Sequence, residues 1–395
     1  MRADPLAFLD AELDELRQRG LHRTLRVLSG EQAARASFDG RSVVNLSSNN
    51  YLGLTTHPRL RARALEAIER YGVGSGAVRT IAGTMDLHVE LEQRLAAFKK
   101  TDAAIVFQSG FTANAGTVAA ILGREDVIVS DELNHASIID GARLSRAAIK
   151  VFPHRDADAA RKTFETLTPH RRALLITDGV FSMDGDLGAL PALCDVADAF
   201  GAIMMVDDAH ASGVFGTAGR GTVDHFGLHG RVDIQVGTLS KAIGVLGGYV
   251  AGSHALIDHL RHRARPFLFS TSHPPAVTAA CIAALEVLEL EPQWMERLWQ
   301  NTAFFQKGLQ SLGFDTGASE SPITPVIVGD AALAMRFSDR LFDQGVFAQG
   351  IGFPTVAEGR ARIRTIVAAT HQRDELQFAL DRFGAVGREL GILRT

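Results

Sequence analysis

Apolar positions along the chain follow two rhythms. Leu6, Leu9, Leu13 and Leu16 recur at intervals of three and four, which predicts a helix with one apolar face from about Pro5 to Arg19. Such a stripe suits packing on the protein's own body or on a partner subunit. Asp39-Gly40 reads as a hairpin turn before a strand over 42–46. From there to about residue 290, short apolar runs alternate with helical stretches. Strands are expected at 103–107, 126–130, 149–152, 173–177, 202–206 and 232–238. Helices are expected at 59–71, 88–98, 112–122, 138–144, 190–200 and 276–290. Strands that are apolar throughout, rather than at every second residue, belong to a sheet covered on both faces. Beyond Pro292 the pattern is mixed, with helices over 294–312, 331–344 and 373–390 and strands near 324–328, 346–348 and 362–366. The expected organisation is α/β in three parts: an N-terminal helix and strand segment (1–45), a large domain (46–290) and a smaller C-terminal α+β domain (291–395).

Composition narrows the function classes. A length of 395 residues favours more than one core. With 46% apolar residues, 22% charged residues and a net charge of -4, the chain is an ordinary globular one and a poor non-specific ligand for nucleic acid or anionic membrane. Cys194 and Cys281 stand alone, and no histidine cluster has metal-ligand spacing, so neither a disulfide framework nor a metal site is expected. Asp10, Glu12, Asp14 and Glu15 are wrong for a signal or transit peptide. The longest uncharged stretches are broken by glycine pairs, histidine or Pro274-Pro275, so a cytoplasmic location is expected.

Lys241 carries the strongest chemical signal. It follows the strand 232–238 and precedes an uncharged, glycine-rich run over 242–249. A desolvated ammonium loses its proton more readily and becomes a nucleophile toward aldehydes, although a solitary lysine more often snorkels to water. Other polar residues fall at the carboxyl ends of strands, where ligands of open α/β sheets collect. Asp207 follows four apolar residues, and its carboxylate needs compensation there; His210 is on the same turn. His135 lies just past the strand ending at Ser130, and Ser182 lies in the loop after 173–177. Gly110 and Phe111 lie in the turn just before a helix whose N-terminal N–H groups can receive a phosphate. Each residue alone has a structural explanation. Jointly they supply what pyridoxal phosphate asks for: an imine lysine, a carboxylate for the ring nitrogen, a flat partner and phosphate donors.

Five ordered motifs carry a family resemblance: 48–54 (SNNYLGL), 134–141 (NHASIIDG), 178–185 (DGVFSMDG), 206–210 (VDDAH) and 237–242 (GTLSKA). Together they resemble the α-oxoamine synthases, a branch of the fold-type I pyridoxal-phosphate transferases, from about Leu21 to Gly391. The resemblance implies a large domain with a mostly parallel seven-stranded sheet and a smaller C-terminal domain. It implies that Lys241 holds the cofactor aldehyde, Asp207 pairs with the ring nitrogen, His210 bonds the ring hydroxyl, and His135 stacks on the ring. Ser182 would lie beside the cofactor. Gly110, Phe111 and Thr238 would hold the phosphate, joined by Ser270 and Thr271 of a second subunit, which makes the protein a homodimer with shared sites. Arg364 and Asn50, with His135, would meet the substrates, an amino acid and an acyl-CoA. Segments 76–84, 265–269 and 362–365 are similar to glycine C-acetyltransferase (2-amino-3-ketobutyrate CoA ligase), whereas 109–114 and 270–275 lean toward 8-amino-7-oxononanoate synthase. Glycine with acetyl-CoA, as in threonine breakdown, is the first expectation; alanine with a pimeloyl thioester, for biotin, or a synthase accepting both, is the alternative. The arginines 261, 263 and 265 read more readily as a solvated face or subunit contact than as a CoA site.

Overall fold

The computed structural model describes residues 4–18, 22 and 24–393. The hairpin at Asp39-Gly40 forms as its residue types dictate. Both residues have positive φ, 50° and 76°, and they join β2 (Arg35–Phe38) to β3 (Arg41–Asn45). With β1 (Leu28–Ser29) these strands start a small sheet.

The central sheet contains β4 (Ala103–Phe107), β5 (Val127–Asp131), β6 (Ala148–Phe152), β7 (Ala173–Asp178), β8 (Ile203–Asp207), β9 (Ile234–Thr238) and β10 (Gly248–Gly252). Its order is β4-β10-β9-β8-β7-β5-β6, parallel except for β10, which runs antiparallel to both neighbours. The uniformly apolar strands do divide between two covered faces. Met205 joins the core with Ile105, Phe107 and Ile138, while its neighbours Met204 and Val206 join Phe152, Leu193 and Val196 on the other side. Helices α1 (Phe8–Gln18), α2 (Pro58–Tyr71), α3 (Asp86–Lys99), α4 (Gly110–Ile121), α5 (Ala136–Ser145), α6 (Ala157–Glu165) and α7 (Leu190–Phe200) precede β8.

The C-terminal part has an antiparallel sheet, β11 (Ile323–Gly329), β14 (Ala361–Ile366) and β13 (Gln349–Ile351). β12 (Val346–Phe347) instead pairs in parallel with β3. Val44 and Leu46 accordingly share a core with Phe305, Phe337 and Phe383, so the chain's early strand packs among residues three hundred positions later.

Differences from the expected elements have local causes. The first helix begins at Phe8, with no buried residue; Arg19 lies outside the described residues. β10 hides in the run read only as glycine-rich. A Cβ on Gly248 would lie 2.3 Å from the Ser109 carbonyl, and one on Gly252 would lie 2.7 Å from the Asp233 carbonyl. Glycine is at both ends of the strand because neighbouring backbone leaves no room, which conceals the strand's β pattern. The helix α6 and the helix His254–Arg263 also went unanticipated. Among the described residues, no helix is long and apolar enough to cross a membrane.

Candidate active site

The ends of β7, β8 and β9 bring the polar residues together. Asp178 and Asp207 are register partners on β7 and β8, so two buried carboxyls stand side by side. Burial, reinforced by the neighbouring Asp207 charge, pushes the Asp178 carboxyl well above the usual carboxylate range. Asp207 is held by two donors: the Ala209 N–H reaches Oδ1 at 2.8 Å, and Asn114 Nδ2 reaches Oδ2 at 2.6 Å.

Lys241 follows β9 by three residues and is half-buried. Among the described residues its ammonium has no hydrogen-bond or ion-pair partner. Burial draws its pKa down to about 8, with Asp207 and Asp178 opposing and Arg364 assisting the fall. About a tenth of the amine is therefore neutral at pH 7 and about half at pH 8, and it is this neutral form that attacks.

His135 precedes α5. Its backbone N–H donates to Asp178 Oδ2 at 2.8 Å. Its ring Nδ1 accepts the Ser137 N–H at 3.2 Å and lies 2.7 Å from Ser137 Oγ. Burial lowers its pKa, Asp207 opposes, and Lys241 adds to the drop. The neutral ring thus carries its proton on Nε2. His210 is buried, and its Nδ1 is 2.7 Å from the Tyr51 hydroxyl. Burial, with the charges of Lys241 and Arg364, holds it well below the usual histidine range. Burial also raises the Tyr51 phenol, against the opposing charge and hydrogen bond of Arg364. The Tyr51 phenol, kept protonated by burial, donates to His210 Nδ1, and His210 presents Nε2–H.

Arg364 projects from β14. Its Nε donates to the Ser182 carbonyl at 2.5 Å, while its two terminal nitrogens lie 3.5 and 3.4 Å from Asn49 Oδ1. That spares donors of the fork for a carboxylate. A cleft of about 260 Å³ opens beside it, lined by residues including Asn45, Ser48 and Phe347. Asn50 Nδ2 donates to Thr55 Oγ1 at 2.6 Å, and its buried Oδ1 has no partner among the described residues.

The phosphate turn follows β4. Ser109 caps α4, its hydroxyl accepting the Thr112 N–H at 3.1 Å. Gly110 faces Thr238, and a Cβ there would lie 3.4 Å from the threonine Cβ, filling the concavity a phosphate needs. Thr238 Oγ1 donates to the Gly247 carbonyl at 2.8 Å. Phe111 is exposed. Ser270 is half-buried and Thr271 exposed; the Thr271 carbonyl accepts from Gln108 of its own chain at 2.8 Å, so this loop stands beside the turn. Arg261 lies 3.7 Å from Glu92 Oε2, and Arg265 stacks over Phe269.

The sequence reading missed Tyr51, Asn114, Ser137 and Asp178 as site residues. The available signals were polar side chains inside apolar helices or within the quoted motifs; their partners are far away in the chain.

The profile of aminotransferase class I and II matches residues 41–383. An 8-amino-7-oxononanoate synthase of Symbiobacterium thermophilum is 60% identical across 98% of this chain and 99% of its own length. An 8-amino-7-oxononanoate synthase 1 of Bacillus subtilis is 56% identical, with 98% of each chain covered. Among solved structures, a serine palmitoyltransferase from S. paucimobilis with a bound PLP–myriocin aldimine superposes with a TM-score of 0.94 at 32% identity, covering 99% of this chain and 100% of that one. An 8-amino-7-oxononanoate synthase from Francisella tularensis gives 0.75 at 27% identity, over 88% and 98% of the two chains. The chain belongs to the class I and II aminotransferase family, in its α-oxoamine synthase branch of fold-type I transferases. Its cofactor is pyridoxal 5′-phosphate, and the unpartnered Lys241 amine, the doubly held Asp207 and the Gly110 concavity fit that group. The relatives reverse the order of the two substrate expectations: they are 8-amino-7-oxononanoate synthases, not glycine C-acetyltransferases.

Proposed function

We propose that the protein condenses L-alanine with a pimeloyl thioester, of CoA or a carrier protein, to give 8-amino-7-oxononanoate. The observation that carries this reading is the 60% identity, end to end, with an 8-amino-7-oxononanoate synthase. In the balanced reaction the alanine α-carbon bonds to the thioester carbonyl, the thiol leaves, and the alanine carboxyl departs as carbon dioxide. Bound pyridoxal phosphate supplies an aldehyde for the amino group and a ring that accepts electrons from the α-carbon.

The chain's own residues do the rest. Asp207, fixed by two N–H donors, balances positive charge at the ring nitrogen. His210 offers Nε2–H to the ring hydroxyl, and Ser182 lies beside it. Gly110, Phe111 and Thr238 hold the phosphate, with Ser270 and Thr271 contributed by the second subunit of a homodimer. Arg364 receives the alanine carboxylate in its planar fork, and Asn50 Oδ1, unpartnered among the described residues, accepts a hydrogen bond from the substrate. Lys241, whose pKa of about 8 suits proton exchange near neutrality, removes the α-proton. His135 aims Nε2–H at the acyl carbonyl, where negative charge develops.

Thiol release measured with alanine or glycine, each crossed with pimeloyl-CoA and acetyl-CoA, tests the reading. Alanine with pimeloyl-CoA should give the highest kcat/KM; preference for glycine with acetyl-CoA would restore the other expectation and overturn this one.

A further inference from the structure

Asn114 enters the chemistry above only as one of the two donors on Asp207, yet it touches a second group as well. It sits on α4, wholly buried, and its Nδ2 reaches Asp207 Oδ2 at 2.6 Å and Ser137 Oγ at 2.9 Å. We propose that Asn114 is a positioning residue whose two amide hydrogens fix the orientation of the Asp207 carboxylate and the tautomer of His135 together. The proposal rests on the reading that those two residues serve the cofactor.

Donor counting dictates the directions. An ionised Asp207 only accepts, so the amide nitrogen, not its oxygen, must face it. The second amide hydrogen goes to Ser137 Oγ, which leaves the serine hydroxyl hydrogen for His135 Nδ1 at 2.7 Å. The Ser137 backbone N–H points at the same Nδ1. With two donors aimed at it, Nδ1 stays unprotonated and the ring proton resides on Nε2. One amide therefore orders a chain running from the carboxylate to the imidazole.

Two further observations favour a functional over a packing role. Asn114 Oδ1 is buried with no partner among the described residues, so this amide is not fully satisfied by the core around it; an apolar side chain of the same volume would leave no orphan. The approach of α4 to α5 is also unusually close. A Cβ on Gly141 would lie 3.0 Å from the Ala115 Cα and 3.1 Å from the Asn114 carbonyl. Gly141 stands one helical turn beyond Ser137, so the missing side chain lets α5 carry Ser137 within reach of the amide.

The test uses the PLP-loaded protein with nitrogen-15-labelled histidine, reading the His135 ring nitrogens by NMR and assigning them with His135→Gln. The wild type should show the Nε2–H form. Ser137→Ala removes one of the two donors on Nδ1 and keeps the backbone N–H, so it should shift the Nδ1 resonance and raise the minor Nδ1–H fraction while leaving PLP affinity within about twofold, because Asp207 keeps its amide donor. Asn114→Asp, nearly isosteric, should perturb the ring nitrogens and also raise the PLP dissociation constant about tenfold, since a bond to a charged acceptor is lost. Unchanged ring nitrogens in both variants, or unchanged PLP affinity in Asn114→Asp, would overturn the proposal. Should Asn114→Asp fail to fold, Ser137→Ala decides the histidine arm alone. A wild type that bound no PLP would instead defeat the functional reading, and its His135 tautomer would still test the network.

Discussion

At the scale of single residues, the site depends on groups held away from their solution protonation. The Lys241 amine is drawn to about 8 chiefly by burial, against roughly 10.4 for a free lysine. Only the neutral amine attacks an aldehyde, so PLP capture by cofactor-free protein should quicken as pH rises through about 8 and then level off. Stopped-flow absorbance would show this, and a midpoint near 10.4 would contradict the burial argument. Lys241→Ala should lower turnover by on the order of 10⁴-fold, the upper range for a lost proton carrier, while PLP still binds through its other contacts. Tyr51→Phe removes one hydroxyl between Arg364 and His210. The KM for alanine should rise about tenfold with a smaller change in kcat; equal losses in both would place Tyr51 elsewhere in the chemistry. Lys241, Asp207 and His135 were legible in the sequence because each ends or follows an apolar strand. Tyr51 and Asn114 were not, since their partners lie 159 and 93 residues away, and no local pattern records such a pairing.

Between elements, two buried charge clusters hold the loops that shape the site. His154, just after β6, sits between Asp131 Oδ1 at 3.1 Å and Asp186 Oδ2 at 2.9 Å. Burial pushes its pKa down, but the two carboxylates together outweigh that and raise it to about 9. It thereby ties the end of β5 to the loop carrying Ser182. A raised folded-state pKa stabilises the fold fully below the unfolded value of roughly 6.5 and is lost as pH climbs through the folded one. Thermal stability should therefore fall between about 6.5 and 9 in the wild type, and His154→Gln should flatten that slope; parallel pH profiles would dismiss the clamp. At the end of α3, Lys99 donates to Asp208 at 2.8 Å, and both side chains are fully buried. Asp208 in turn accepts from Thr222 N at 3.2 Å. Lys99→Met leaves that carboxylate unpaired and should cost about 3–5 kcal/mol of stability by denaturant titration. The buried two-faced sheet was readable from its apolar runs. β10 was not, because the glycines required at its two ends by the Ser109 and Asp233 carbonyls erase the side-chain pattern on which strand reading depends.

For the molecule as a whole, the sequence conveyed the family more surely than the substrate. The five motifs that carry the family did not separate the acyl groups; segments of four to nine residues elsewhere put glycine with acetyl-CoA first, and relatives matched over 98% of the chain reverse that order. Assembly is the remaining property at this scale. All of α1 lies outside the protomer's core, with Leu9, Leu13 and Leu16 exposed, and Phe269, beside Ser270, is 70% exposed. Apolar surface at the edge of the phosphate turn suits burial against a second copy. If Ser270 and Thr271 complete the site of the opposite subunit, two inactive proteins should rescue one another. A Lys241→Ala chain and a chain carrying Ser270→Ala with Thr271→Ala, unfolded together and refolded as a mixture, form about one half heterodimers. In each heterodimer both lesions fall in one site, leaving the other site intact. Mixing should thus recover about a quarter of wild-type activity from two nearly inactive parents. Sites confined to single subunits would leave every site damaged, and no activity would return.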